Sequence, residues 1–206
     1  TVNNLGNGQD WVINNTLYHS GTASAHNPYS SSNDNVLFVS GTLDFTGKSF
    51  IGLSFWQIAK TTGNSDHCYV EISTDGGTTF DQLPASTYLG EGDYTETGLT
   101  NYPEGPCFDE YSYTDWGTSS VTPDNTWWKH EAFDLSGYGT YDNVVIRFRL
   151  VSDSWTERYG WLLDDITIDV HTDPVVSVNP LTISEDATPV MPANVDLSVE
   201  NLGGFV

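Results

Sequence analysis

Residues 143–151 read NVVIRFRLV, and their alternation decides the fold class. Apolar side chains at positions 146, 148 and 150 alternate with Arg147 and Arg149. Successive side chains of a β-strand point to opposite faces, so the pattern predicts a strand with one face in a core. We expect both arginines to point outward and to pair with acids on adjacent strands.

The rest of the chain repeats this character, and helical periodicity is nearly absent. Between two strand-like runs, Asp75-Gly76-Gly77 has the composition of a hairpin turn that needs positive φ. Many short strands without helices predict an all-β fold, an antiparallel β-sandwich. Further β-rich runs lie at residues 36–45, 50–58, 68–74, 127–135 and 161–170.

Charge excludes some classes of partner. Among 206 residues there are 6 Lys plus Arg and 28 Asp plus Glu, which gives a formal net charge of −22. Nucleic acids and anionic membrane surfaces both attract basic proteins, so we expect neither as a partner. No run of 18 apolar residues is present, so we expect no membrane insertion. One Met, few Lys and a surface rich in Thr, Ser, Asn and Gly are typical of secreted proteins.

Two segments interrupt the strand pattern. Residues 88–125 are rich in Gly, Tyr and acids, and this insertion is too long for an ordinary connection. Residues 173–206 carry four prolines around two short apolar runs, and about 30 residues cannot bury a core alone. We therefore predict one domain at 1–172, followed by a linker and the first strands of a truncated second β-domain at 173–206.

Seven short motifs occur in an order that resembles a known family. The motifs are YHSGTASA (18–25), DNVL (34–37), LSFW (53–56), VEISTDGG (70–77), FDLSGY (133–138), IRFR (146–149) and GWLLDDI (160–166). The series is similar to the MAM-like jelly rolls of secreted bacterial proteins, namely the cleaved adhesin domains of gingipains and the accessory domains of immune-inhibitor-A-type metalloproteases. The resemblance covers residues 1–171.

This resemblance implies jelly-roll topology, stabilisation by a structural Ca²⁺ and a non-catalytic binding or adhesion role. Such modules are common in the Bacteroidetes, belong to larger multidomain exported proteins and are usually followed by Ig-like domains. Expected partners are a polysaccharide, or a cell-surface glycan or protein, outside the cell. The alternative is an accessory domain, for substrate recognition or structural support, of a secreted metalloprotease or other exported hydrolase.

A metal site is predicted at Asp164 and Asp165. Strict alternation would place Asp164 on one apolar, core-directed row with Leu162, Ile166 and Ile168. A buried carboxylate needs a partner, bases are scarce, and Ca²⁺ binds oxygen ligands. The alternative is that Asp164 caps backbone amides at a strand end while Asp165 is solvated.

In the resembled domains the equivalent acidic pair helps to ligate calcium beside an N-terminal loop. The corresponding loop here is residues 3–11, and the resemblance implies ligands at Asn3, Asn7 and Asp10. This loop has amides where gingipain adhesins carry several carboxylates.

Aromatic residues are the candidate ligand contacts. Tyr111, Tyr113 and Trp116 lie close together in an acidic stretch, and Trp155 lies in a later turn. Aromatic faces stack on sugar rings while acids and amides accept hydroxyl hydrogen bonds, so the set predicts glycan binding. Alternatively, aromatics in a long loop pin it to the sandwich.

The only two cysteines, Cys68 and Cys107, allow one disulfide, which would attach the insertion to a strand in an oxidising compartment. Two unbridged thiols are the alternative.

No HExxH, GxSxG, P-loop or CxxC motif occurs, so we expect no catalysis, although sequence does not exclude a glycosidase carboxylate pair. The net charge opposes anionic glycans unless calcium bridges them.

Overall fold

The computed structural model describes residues 2–39, 41–96, 105–117 and 121–172, and for residues 2–7 and 96 it describes the backbone alone. The described chain is built from twelve β-strands and three short 3₁₀ turns at Ala85–Thr87, Thr114–Trp116 and Ser136–Tyr138. The strands are β1 Val2–Asn7, β2 Val12–Asn14, β3 Ser24–Asn27, β4 Asp34–Phe38, β5 Phe50–Lys60, β6 His67–Ser73, β7 Asp81–Gln82, β8 Thr95–Glu96, β9 Pro106–Cys107, β10 Lys129–Asp134, β11 Val145–Val151 and β12 Gly160–His171.

Two five-stranded sheets form the sandwich. The front sheet has the order β1-β4-β11-β6-β7, and the back sheet has the order β10-β5-β12-β3-β2. Strands β8 and β9 form a small separate hairpin in the insertion. The described strand pairs are antiparallel.

The chain repeatedly crosses from one sheet to the other. Strands β3, β4, β5 and β6 lie alternately in the back and front sheets, and so do β10, β11 and β12. This wrapping confirms the predicted antiparallel β-sandwich of jelly-roll topology.

Strand β11 has the predicted alternation. Ile146, Phe148 and Leu150 are buried in the core. On the outer face, Arg147 Nε lies 2.5 Å from Glu71 Oε2 on β6, and Arg149 Nε lies 2.8 Å from Asp34 Oδ1 on β4. The expected pairing of both arginines with acids on adjacent strands is confirmed.

An aromatic cluster fills the space between the sheets. Phe55 on β5 lies 4.9 Å from Phe148 on β11 and 6.2 Å from Phe133 on β10, measured between ring centroids. Trp161 on β12 joins the group at 5.6 Å from Phe148. Truncating such a ring typically costs about 3 to 5 kcal/mol, so this cluster holds the two sheets together.

The predicted strands agree with the observed ones except at 36–45, where β4 ends at Phe38 and Leu43 forms only an isolated bridge to Val144. Gly76 and Gly77 have φ of 76° and 92°, as the hairpin prediction required.

The predicted second domain at 173–206 lies outside the described residues. Among the described residues, no helix is long and apolar enough to cross a membrane.

Candidate functional site

Four segments meet at one end of the sandwich, which we call the loop end. Three of them are crossovers between the sheets: residues 28–33 join β3 to β4, residues 61–66 join β5 to β6, and residues 152–159 join β11 to β12. The fourth is residues 108–117 of the insertion, which follow β9. Direct hydrogen bonds between these segments show that they form one surface.

Two exposed aromatic side chains lie on this surface. Trp155 is 85% exposed and Tyr111 is 60% exposed. Tyr111 packs on the backbone of the neighbouring crossover, because a Cβ atom at Gly63 would lie only 2.2 Å from Tyr111 Cε2. Thr62 Oγ1 in turn donates to the carbonyl oxygen of Thr156 at 2.6 Å. This chain of contacts connects the segments that carry Tyr111 and Trp155.

Asp66 joins the three crossovers beneath that surface. Its carboxylate is fully buried and accepts hydrogen bonds from Tyr29 Oη at 2.9 Å, Thr62 N at 3.2 Å and Asp153 N at 2.9 Å. Burial raises the pKa of Asp66, and the hydrogen bonds oppose that shift. A single carboxyl group therefore fixes one backbone or side-chain donor from each crossover.

Glu110 joins the insertion to the sandwich through two bases. Its Oε2 atom lies 2.7 Å from Lys60 Nζ, and its Oε1 atom lies 3.4 Å from Arg158 Nε. Lys60 Nζ also donates to the carbonyl oxygen of Gly117 at 2.9 Å. Because Lys60 is buried and Glu110 is its acidic partner, removing Glu110 would leave an uncompensated positive charge in the core.

The neighbouring acid, Asp109, holds the backbone around Tyr111. It accepts from Tyr111 N at 2.7 Å and from Asn64 N at 2.8 Å. Burial raises the pKa of Asp109 against these two backbone hydrogen bonds. Tyr111 is therefore positioned by its own segment as well as by Gly63.

The insertion is fixed a second time at Glu131 on β10. This buried carboxylate accepts from Tyr88 Oη and from Gln57 Nε2 at 2.9 Å, and Gln57 Oε1 accepts from Trp161 Nε1 at 2.8 Å. Burial raises the pKa of Glu131. The insertion thus rests on an ordered polar network inside the sandwich.

Two of the four predicted aromatic contacts are placed differently from the prediction. Trp116 is 0% exposed and donates through Nε1 to the carbonyl oxygen of Trp127 at 2.8 Å, so its ring offers no face to a ligand. Tyr113 is half-buried, with its ring 4.9 Å from that of Trp116 and 5.2 Å from Lys129 Nζ. Both follow the alternative in which aromatics pin the insertion to the sandwich.

The acidic pair on β12 lies away from the core-directed row that alternation predicted. The pairing of β12 with β5 shifts by one residue between Asp164 and Thr167, and Asp165 has a φ of 47°. Such a β-bulge exchanges the two faces of the strand. Asp164 is therefore half-buried opposite Trp56, and it does not share a face with Ile168, which pairs with the core residue Leu53.

Both carboxylates of the pair are bonded to one short loop. Asp164 Oδ2 accepts from His19 N at 2.8 Å and from Ser20 N at 3.1 Å. Asp165 Oδ2 lies 2.7 Å from His19 Nδ1, and Asp165 Oδ1 accepts from Ser20 Oγ at 2.5 Å. The side-chain hydrogen bonds from Ser20 and then His19 lower the pKa of Asp165.

This donor set does not fit a Ca²⁺ ion at the pair, because N–H and O–H groups point at the oxygens that would bind the metal. Of the other predicted ligands, Asp10 is exposed, and the side chains of Asn3 and Asn7 lie outside the described residues. Among the described residues, no group of three His, Cys, Asp or Glu side chains is placed to hold a metal ion.

The predicted disulfide between Cys68 and Cys107 is not formed in the structure. Cys68 pairs with Phe108 across an isolated bridge and faces the main core, whereas Cys107 precedes Phe108 and therefore faces the opposite way. Both cysteines are thiols. Cys107 Sγ lies 3.1 Å from His67 Nδ1, and Cys68 Sγ lies 3.9 Å from Thr61 Oγ1.

Sequence reasoning missed Gly63, Asp66 and Glu110. One signal for the Glu110 pairing was present, because Lys60 ends the apolar strand FIGLSFWQIAK in a chain with only six Lys and Arg. A buried base needs an acidic partner. Which of 28 acids supplies it depends on long-range contacts that the sequence pattern does not show.

Comparisons with known proteins return fold-level likenesses. No protein-family profile matches the chain. No curated protein sequence matches it. Among solved structures, the glycoside hydrolase domain of Endo-D from Streptococcus pneumoniae R6 matches with 17% identity and a TM-score of 0.48, over 81% of this chain and 21% of that one. The chain therefore spans about a fifth of that structure's length.

Two further structures match over most of their own length. The K2 cleaved adhesin domain of Lys-gingipain has 18% identity, a TM-score of 0.46 and coverage of 81% of this chain and 87% of that one. The CBM22-1 xylan-binding domain of Xyn10C from Paenibacillus barcinonensis has 11% identity, a TM-score of 0.41 and coverage of 84% and 87%. The resemblance to MAM-like domains and to metalloprotease accessory domains stays a prediction.

Proposed function

We propose that this protein is a non-catalytic extracellular binding module that recognises a glycan at the loop end. The observation that carries the proposal is the pair Tyr111 and Trp155, which are exposed on connected loops of one sandwich end. Exposed aromatic rings on a rigid scaffold stack on sugar rings, and nearby polar groups hydrogen-bond to hydroxyls.

Rigidity supports binding at this surface. Asp66, Asp109 and Glu110 connect the four segments from below, so the two aromatic side chains are presented by loops that are already ordered. Ordering a loop on binding costs conformational entropy, and a surface that is ordered beforehand avoids much of that cost.

The acids beneath the surface act as structural acceptors in this proposal. Asp66 accepts three hydrogen bonds, two of them from other crossovers. Asp109 accepts two, one of them from the 61–66 crossover, and Glu110 pairs with Lys60 and Arg158. We therefore assign them to positioning the loops rather than to proton transfer.

Alanine substitution of the aromatic pair tests the proposal. Tyr111→Ala and Trp155→Ala should each weaken retention on an immobilised glycan, and the double variant should abolish it. Tyr141→Ala is the matched control, because Tyr141 is 42% exposed at the opposite end of the sandwich. Each variant's melting temperature should stay near that of the parent, since all three side chains lie at the surface outside the core.

Two outcomes would contradict the proposal. Retention that is unchanged in the double variant would place the glycan site elsewhere. Retention of a host or cell-surface protein without any glycan would identify an adhesion module that recognises protein.

A further inference from the structure

The loop end presents acids to solvent but holds its bases in ion pairs. Only two Lys or Arg residues belong to its segments or to the strand ends that meet them, Lys60 and Arg158, and both pair with Glu110. Lys60 is fully buried. Residues 61–128 contain no Lys or Arg, so the insertion brings none to this surface.

Glu157 lies on the same crossover as Trp155, two residues further along, and is exposed. Its Oε1 atom accepts from Ser31 Oγ at 2.7 Å and from Ser31 N at 2.9 Å. These two hydrogen bonds lower the pKa of Glu157 and fix the position of its carboxylate. Among the described residues, no hydrogen bond ends on Oε2.

An anionic sugar at Trp155 would therefore meet a fixed negative charge, and the one base on this crossover, Arg158, is only 16% exposed and pairs with Glu110. Like charges placed next to each other in an interface reject a partner strongly, and the acidic protein as a whole slows its approach. An uncharged sugar suffers neither effect, and its hydroxyl groups donate to a carboxylate oxygen.

We propose that the loop end selects uncharged glycans, and that Glu157 excludes uronic-acid sugars from it. This rests on the proposed function, because it assigns a ligand class to the same surface. Glu157 is then a specificity-determining residue, which accepts from a neutral sugar and repels a carboxylated one.

Charge reversal at one position tests the proposal. Affinity electrophoresis would compare neutral galactomannan and mixed-linkage β-glucan with polygalacturonate, at low and at high salt. The parent protein should be retarded by a neutral polymer and not by polygalacturonate. Glu157→Lys should gain affinity for polygalacturonate by about tenfold at low salt, the size expected from a new favourable charge contact.

Asp142→Lys is the matched control. Asp142 is exposed in the β10–β11 connection at the opposite end, and the substitution changes the net charge by the same two units. It should leave the selectivity unchanged. Glu157→Gln provides a neutral variant that keeps a side-chain oxygen for Ser31, and it should reduce discrimination against polygalacturonate without loss of folding.

The outcomes separate the two proposals. If Glu157→Lys and Asp142→Lys gained affinity for polygalacturonate equally, the role of Glu157 would be overturned, because overall charge would then control selectivity. Parent binding to polygalacturonate through Tyr111 and Trp155 would overturn the ligand class and leave the binding surface intact. Absence of binding to every polymer of the panel would overturn glycan recognition itself.

Discussion

The two ends of the sandwich use acidic residues in different ways. At the loop end, Asp66 and Asp109 are buried, bond to segments other than their own, and have raised pKa values. At the opposite end, Asp44, Asp75 and Asp134 are exposed and accept from backbone N–H groups two to four residues ahead. Those local hydrogen bonds lower their pKa values.

This difference separates local turn formation from long-range positioning. An acid that closes its own turn stabilises that turn alone. An acid that bonds to two or three different segments couples them, so that none moves independently. The loop end is therefore a part of the described structure where side chains distant in sequence are held in a fixed arrangement.

The largest expected effect is at Glu110. Glu110→Gln should lower the free energy of unfolding by about 3 to 5 kcal/mol, because Lys60 would stay buried without its negative partner. Chemical denaturation would measure it. Asp142→Asn, at the opposite end, should change stability far less. A second substitution, Lys60→Met, should recover part of the loss, and failure to recover any would show that the ion pair is not its source.

A smaller effect is expected at Gly63. Gly63→Ala should displace the Tyr111 ring and weaken glycan binding by about tenfold, or about 1.4 kcal/mol, while keeping every functional group. Binding calorimetry would measure it. Gly137→Ala is the control, because a Cβ atom there meets nothing within 4 Å. Equal affinity in the two variants would mean that Tyr111 does not contact the ligand.

The pH dependence of stability should have opposite signs for Asp66 at the loop end and Asp134 at the opposite end. The stabilising contribution of Asp66 is fully present below its unfolded pKa of 3.8 and is lost as pH rises through the higher folded value. Asp134 contributes stability above pH 3.8, which is lost as pH falls through its lower folded pKa. These pH-dependent changes in the free energy of unfolding are smaller than the change caused by losing a buried ion pair.

Melting temperatures from pH 2.5 to 7 would measure both slopes. As the pH falls, the melting temperature of the parent protein should rise relative to that of Asp66→Asn. Its advantage over Asp134→Asn should shrink. Parallel curves for the two variants would contradict the contrast between the ends.

The smallest expected effect is at Asp164. Asp164→Asn should lower the melting temperature by a few degrees through weaker hydrogen bonds to His19 N and Ser20 N, equally with Ca²⁺ and with a chelator. Differential scanning calorimetry would measure it. A chelator that destabilises the parent but not the variant would support calcium binding at this pair, as the sequence predicted.

Much of the fold could be predicted because it depends on local alternation. Residues 143–151 and the Asp75-Gly76-Gly77 turn have the structure that their own pattern indicated. The prediction that Asp164 shares a core-directed row with Ile168 was wrong because of a β-bulge between them. One extra residue in a β-bulge exchanges the faces of a strand, and a periodic pattern contains no sign of it.

The candidate site was predictable only in part. Tyr111 and Trp155 proved exposed, whereas Trp116 proved buried, although all three are aromatic residues in turn-rich segments. Burial of a loop side chain depends on which other segment covers it. Trp116 donates to the backbone carbonyl of Trp127 and is buried. Tyr111 lies against the glycine backbone at Gly63 and stays exposed.

The sequence by itself determined the sandwich, most of its longer strands and its acidic character, because strand alternation, turn composition and net charge are properties of neighbouring residues or of simple sums. Only the tertiary structure decided which acids are buried, which partners neutralise them, which way the two cysteines face and which aromatics reach solvent. These properties depend on contacts between segments up to more than a hundred residues apart, such as Asp34 with Arg149, and no local pattern specifies them.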